Sequence, residues 1–143
     1  MSDAPFSLEA EEKGFRAILG VQVVSAEPGR ATLEVPVDAR LLQGAGVVHG
    51  GVFTSMVDCV IADALRGLLR DGEVSATIDL NVGFLRPVAG GVLSAEATII
   101  FRGGSIAIGA AEVRDEAGNM CAVGRATFKI GAARTRPPEP QGS

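Results

Sequence analysis

Residues 50–69 constrain this chain more than any other stretch. They are apolar around nearly the whole circumference of a helix, yet Asp58 sits a little over two turns inside. A helix of that kind is buried on most of its faces. Asp58, Asp63 and Arg66 argue against a membrane span, so the expected setting is a core helix wrapped by a sheet. Asp63, Arg66 and Arg70 form a polar stripe, and at about 100° per residue Asp58 lies roughly 80–140° from them around the axis. That places Asp58 off the solvated face, among Ser55, Val57, Cys59, Ile61 and Ala62. A buried carboxylate is costly unless paired or hydrogen-bonded. Two readings follow: a functional acid, or a structural one bonded to a neighbour such as Thr54 at i−4.

Gly50 and Gly51 open the helix. A helix N-terminus presents unpaired N–H groups and partial positive charge. With no side chain in the way, an oxygen developing negative charge can approach it. A tight turn that needs glycine for its backbone angles explains the same pair.

Most of the remaining pattern is strand. A short amphipathic helix is expected over about 7–19, with Leu8, Phe15, Ile18 and Leu19 on one face and Gly20 closing it. Strands are expected at 21–26 and 30–37, joined by Pro28-Gly29. Four more follow at 73–85, 91–102, 105–115 and 119–130. Their short glycine-containing connections suit antiparallel neighbours. Thr77 and Asp79, two apart, are expected on one strand face. One long helix plus a run of antiparallel strands is an α+β layout. The domain is expected over 15–131. Residues 1–14 are an N-terminal segment that includes the start of the short helix, and 132–143 form a proline-containing tail expected to be disordered.

Composition works by exclusion. The 143 residues are 47% hydrophobic and 21% charged, which is globular rather than disordered. Net charge is −4 without a long basic run, which disfavours nucleic acid as a partner. Asp3 and Glu9 stand where a signal peptide would have a basic start and an apolar core. Cys59 and Cys121 sit in apolar segments and read as reduced core residues of a cytoplasmic protein. One histidine and two scattered cysteines give no metal-site spacing, and no metal or redox cofactor is implied.

His49-Gly50-Gly51 followed by Asp58, then Thr77-Ile78-Asp79-Leu80-Asn81-Val82 and Phe84-Leu85-Arg86-Pro87, resembles the hotdog-fold acyl-CoA thioesterases. The nearest branch is the phenylacetic-acid-degradation, or PaaI-like, group. The resemblance runs over roughly residues 15 to 130. It implies a curved antiparallel sheet wrapped around the long helix. It also implies hydrolysis of an aryl- or medium-chain acyl-CoA thioester, with coenzyme A present only as part of the substrate. Asp58 would be the general base or the nucleophile, and the Gly50 N–H the oxyanion donor.

The family pattern has an amide side chain before the acid. Asn is commoner there, and Gln43 stands in its place, one methylene longer. It would orient water or bond the thioester oxygen; otherwise it is a surface loop residue. Thr77 falls where the family has a hydroxyl near the acid, to hold Asp58 or the water. His49, the only histidine, would bond the loop or shape the substrate site with Gly51, and the alternative is a base. Arg86 and Arg102, with the Gly103-Gly104-Ser105 hairpin, are candidates for the nucleotide phosphates, since guanidinium forks suit them. Arg125 is a further candidate. Phe53, Met56, Leu41 and Leu42 are candidates for the acyl pocket. In the family the site forms across a dimer interface, so a homodimer or homotetramer is implied. A ligand-sensing module without turnover is the competing reading. A hotdog dehydratase, which relies on a catalytic histidine paired with an acid, matches less well.

Overall fold

A computed structural model of the chain describes residues 13–133. The start of the predicted short helix, Leu8 and residues 134–143 lie outside the described residues. The elements are α1 (Phe15–Leu19), β1 (Gln22–Glu27), β2 (Arg30–Pro36), a 3-10 turn (Ala39–Leu41), α2 (Gly50–Arg66), β3 (Glu73–Phe84), β4 (Val92–Arg102), β5 (Ile106–Arg114) and β6 (Met120–Ala132). All strands pair antiparallel in one sheet of order β1-β2-β4-β5-β6-β3. The sheet curves around α2, as the α+β hotdog reading requires.

Alternation builds the core. Ala31, Leu33 and Val35 on β2, Leu93, Ala95 and Ala97 on β4, and Ala107, Ala111 and Val113 on β5 turn inward and are buried. They meet Val52, Phe53, Met56, Val57, Val60, Ile61, Ala64 and Leu65 of α2. The helix lies directly on the sheet backbone at two points. A Cβ on Gly109 would stand 2.4 Å from Ile61 Cγ2, and one on Gly124 would stand 2.5 Å from Val57 Cγ1. These glycines set the helix's depth and rotation, because close-packed interiors leave no room for an added methyl.

Three expectations change. First, α2 ends at Arg66 rather than near 69. A Cβ at Gly67 would stand 2.8 Å from Pro28 Cα, so the β1–β2 turn meets the backbone where the helix stops. Second, α1 does not bury an apolar face. Leu19 is buried, but Phe15 and Ile18 are 62% and 65% exposed. Third, Thr77 and Asp79 do not share a face. Thr77 pairs with Phe128 and Asp79 with Thr127, because a bulge at Ile78 inserts one residue into β3. One extra residue reverses the side-chain alternation beyond it.

The two carboxylates of α2 also exchange environments relative to expectation. Asp63, assigned to the polar stripe, is only 2% exposed. Its oxygens accept from Arg16 Nη1 and Nη2 at 2.7 Å each, and Arg66 Nη2 lies 3.3 Å away. Asp58, expected to be buried, is half-buried. Periodicity located the apolar arc correctly but could not say which flank another element covers. α1 covers the Asp63 flank, while the Asp58 flank faces the sheet edge at β3.

Candidate active site

The loop before α2 is held rigidly. Asp38 accepts the Arg40 N–H at 2.8 Å, and Leu42 bridges Val48. The His49 N–H donates to the Leu41 carbonyl at 2.9 Å, and the Val48 N–H to Val88 at 2.7 Å. These bonds fix where the helix begins.

His49 is the N-cap of α2. Its Nδ1 accepts the Gly51 N–H at 2.9 Å, leaving the proton of the neutral ring on Nε2. A Cβ on Gly51 would stand 3.1 Å from that nitrogen. The Gly51 donor is therefore occupied, whereas the Gly50 N–H has no acceptor among the described residues. Phe84 stands against Gly50, with two ring carbons 3.3 Å from the place of a Cβ. Its ring also meets Phe53, centroids 6.3 Å apart.

Two turns further on, Asp58 Oδ1 accepts the Thr77 hydroxyl at 2.7 Å. Thr54 does not bond Asp58; its hydroxyl donates back to the Gly50 carbonyl at 3.0 Å. Asp58, Ala62 and Arg66 follow one another at i, i+4 spacing on a single helix face. Beside that face runs a groove of about 590 Å3, lined by Ala62, Leu69, Ser75, Thr77 and Phe128 among others. Leu41, Phe53 and Met56 are packed into the core, at 9%, 3% and 0% exposure.

The remaining candidates are dispersed. Gln43 is exposed, and its Oε1 accepts the Ala45 N–H at 2.7 Å. It makes no hydrogen bond to Asp58 or Thr77 within the protomer. Arg102 is engaged inside the protomer: it donates to Glu73, to the Leu68 carbonyl at 3.3 Å, and to the carbonyls of Gly103 and Gly104. It fastens the helix exit, the start of β3 and the β4–β5 hairpin together. The Arg70 N–H first, and then the Arg102 charge, hold the Glu73 carboxyl below its ordinary range against the opposing effect of burial. Ser105 is exposed, and its carbonyl accepts from Ile130 at 2.7 Å. Arg86 and Arg125 are exposed. Cys59 and Cys121 are not joined in a disulfide, and burial pushes the Cys121 thiol up. Among the described residues, no group of three or more His, Cys, Asp or Glu is placed to hold a metal. No helix among them is long and apolar enough to cross a membrane.

Sequence reasoning gave no role to Phe84 beyond its place in a motif, nor to the Arg16–Asp63 pair. An aromatic ending a strand carries no signal that it will lie on a glycine 34 positions earlier.

A curved antiparallel sheet wrapped around one long helix is the hotdog architecture of thioester hydrolases. Residues 45–122 match the model of the thioesterase superfamily, and the chain belongs to that family. It resembles the crystal structure of a Haemophilus influenzae thioesterase at 29% identity and TM-score 0.80, covering 89% of this chain and 92% of that one. A variant of the phenylacetic acid degradation protein PaaI from Thermus thermophilus superposes at TM-score 0.74 with 26% identity, covering 80% and 96%. Human acyl-coenzyme A thioesterase 13 is 28% identical over 122 residues, 83% of this chain and 86% of that protein. The chain is thus a PaaI-like thioester hydrolase.

Proposed function

We propose that the protein hydrolyses acyl-CoA thioesters at sites shared between two copies of the chain. One observation carries this. Gly50 and Asp58 are eight residues apart on one helix, which is about 12 Å along its axis. One thioester carbonyl cannot touch the N–H of the first and the carboxylate of the second. A second protomer resolves the mismatch, its helix entrance meeting the Asp58 of the first. The Asp58–Thr77 pair faces that way, since Ala76, Thr77, Ile78 and Asp79 are exposed along the edge strand β3. Among the described residues, the twelve of β3 have no strand partner on one side, and an unpaired edge is a template for a second strand. Pairing two β3 edges about a twofold axis closes it.

In this site the Gly50 N–H polarises the thioester carbonyl and then holds the oxyanion. Phe84 excludes water from one side of that donor. Asp58, held by the Thr77 hydroxyl, activates water as a base or attacks directly. The Oε1 of Gln43 is bound within its own loop, which leaves its NH2 to donate to the thioester oxygen or the water. The acyl group lies in the groove beside Ala62 and Phe128. Arg86 is the better nucleotide contact, because the Arg102 guanidinium is already bound.

The test is complementation. Asp58→Asn and Gly50→Pro should each lower release of CoA thiol by about 10²-fold or more; proline is tolerated at the first helical position and removes the donor, with the Phe84 ring, 3.3 Å from the place of a Cβ, giving way to its ring. Mixed in equal amounts and reassembled, the two inactive variants should recover about a quarter of wild-type activity, because half the dimers then hold one intact site. Recovery near zero, with mixed dimers demonstrably formed, would defeat the shared site.

A further inference from the structure

The groove beside α2 changes character along its length, and its far end carries a charge that hydrolysis does not need. Glu73, Ser75 and Thr77 alternate onto the face of β3 turned toward the helix, as the bond from Thr77 to Asp58 shows. Opposite them stand Arg66, Ala62 and Asp58, each about one turn from the next. Four helical residues rise about 6 Å and two strand residues about 6.6 Å, so the two walls stay in step. They make three rungs: Asp58 with Thr77, Ala62 with Ser75, and Arg66 with Glu73.

The rungs differ in chemistry. The first holds the proposed acid. The second is small, with Leu69 and Phe128 adding apolar wall. The half-buried Ser75 hydroxyl there makes no hydrogen bond among the described residues. The third is ionic. Arg16 binds both oxygens of Asp63 at 2.7 Å, and Arg66 adds a longer contact at 3.3 Å. Those three groups together carry one positive charge. Glu73, on the opposite wall, is paired with Arg102 and accepts the Arg70 N–H at 2.7 Å. Arg70 and Asp71, in the turn beyond, are exposed and offset each other. The far end of the groove is therefore cationic. The Arg66 side chain lines it and is 44% exposed. A guanidinium is a planar fork of five N–H donors, enough to hold a second carboxylate beside Asp63.

The spacing fixes the length of a fitting ligand. Asp58 and Arg66 are eight residues apart, about 12 Å along the axis. An extended chain covers about 3.6 Å in three bonds, so about ten bonds would join a carbon at the first rung to a group at the third. Side chains lean toward the helix N-terminus, and the longer arginine stem shortens the span by a few bonds. We infer that the acyl group taken here is a linear chain of about eight to ten carbons ending in a carboxylate, which Arg66 holds while its other end is a thioester at Asp58. This rests on the acyl group lying in the groove, as proposed above, and adds Arg66 as the residue that selects it.

The experiment compares CoA esters of linear diacids with those of the plain fatty acids of equal length, at four and eight carbons. At eight carbons the diacid ester should be favoured about 10- to 100-fold in kcat/KM, the worth of a charge-assisted hydrogen bond. The difference should fall in KM, with kcat changed only a few-fold, because the contact is made equally before and during reaction. At four carbons the diacid cannot reach Arg66, and the preference should vanish. Arg66→Gln should bring the eight-carbon ratio to about one, and Arg66→Lys should leave part of it. Both esters are read on the same variant, so the ratio is independent of how much of it is folded. Binding of the thioether analogues, which cannot be hydrolysed, gives the same ratio as Kd. A ratio of about one in both KM and Kd for the wild type would overturn the inference and leave hydrolysis standing, as would a preference that survives Arg66→Gln. A preference in Kd lost in Arg66→Gln, with no turnover of any ester, would support the Arg66 contact and sink the hydrolysis reading instead.

Discussion

Asp63 and Asp58 lie on the same helix five residues apart, and the protein treats them in opposite ways. Asp63 is nearly inaccessible and holds Arg16 through two 2.7 Å bonds, with Arg66 as a third contact. Asp58 is half-buried and has one bond, from Thr77 on an edge strand. Burial alone would select Asp63 as the functional acid. Its lone pairs are committed to guanidinium groups, so it has none to give to water or a carbonyl carbon. Asp58 keeps Oδ2 without a partner among the described residues, on the side the protomer leaves open. A reactive carboxylate is marked less by depth than by what its oxygens still have to do.

Deleting the first acid should have the largest effect. Asp63→Ala strands two guanidiniums and should cost about 3–5 kcal/mol of stability, read from urea unfolding midpoints, whereas Asp58→Ala should cost less than about 1 kcal/mol. If the two cost the same, the contrast between the flanks disappears. Thr77→Val removes a hydrogen bond to a charged group, and hydrolysis should fall about 10- to 100-fold with little change in melting temperature. Gly124→Ala drives a methyl into Val57 and should destabilise by about 1–3 kcal/mol; as the rotation of α2 shifts, activity should fall more than in an equally destabilised variant elsewhere in the core. His49→Ala removes the cap and should cost about 1 kcal/mol, with turnover at saturating substrate changed only a few-fold. A collapse of turnover there would make the ring a base after all.

The smallest effect concerns pH. Glu73 has its carboxyl lowered by the Arg70 N–H and the Arg102 charge, so its contribution is complete above the ordinary glutamate range. That contribution is lost as pH falls through the lowered value. The stability gap between wild type and Glu73→Gln should therefore narrow on acidification; a gap that widens would contradict the assignment.

Periodicity alone yields most of the fold. Alternation in Ala31–Val35 and Ala95–Ile99 and the glycine turns place every strand to within a residue or two. The helix entrance at Gly50 is legible for the same local reasons. What the sequence conceals is non-local. The Ile78 bulge, which turns Asp79 away from Thr77, leaves no trace in a run that alternates acceptably with or without it. The burial of Asp63 depends on Arg16, 47 positions away, folding back over the helix. The engagement of Arg102 depends on Glu73 and the Leu68 carbonyl meeting at a helix exit. Residues that act through distant partners cannot be read from their neighbours.

If two β3 edges pair as proposed, the bare flank of β3 also sets a clock on the newborn chain. From the moment a protomer folds until a second copy arrives, Ile78, Phe84 and Leu85, all more than half exposed, flank an unpaired strand edge. Waiting time for a mate grows as copies become scarce, so slow synthesis lengthens the hazard instead of relieving it. Such a chain is safest when made in bursts or beside its own kind, and its tolerance of dilution will be decided by how fast two edges find one another.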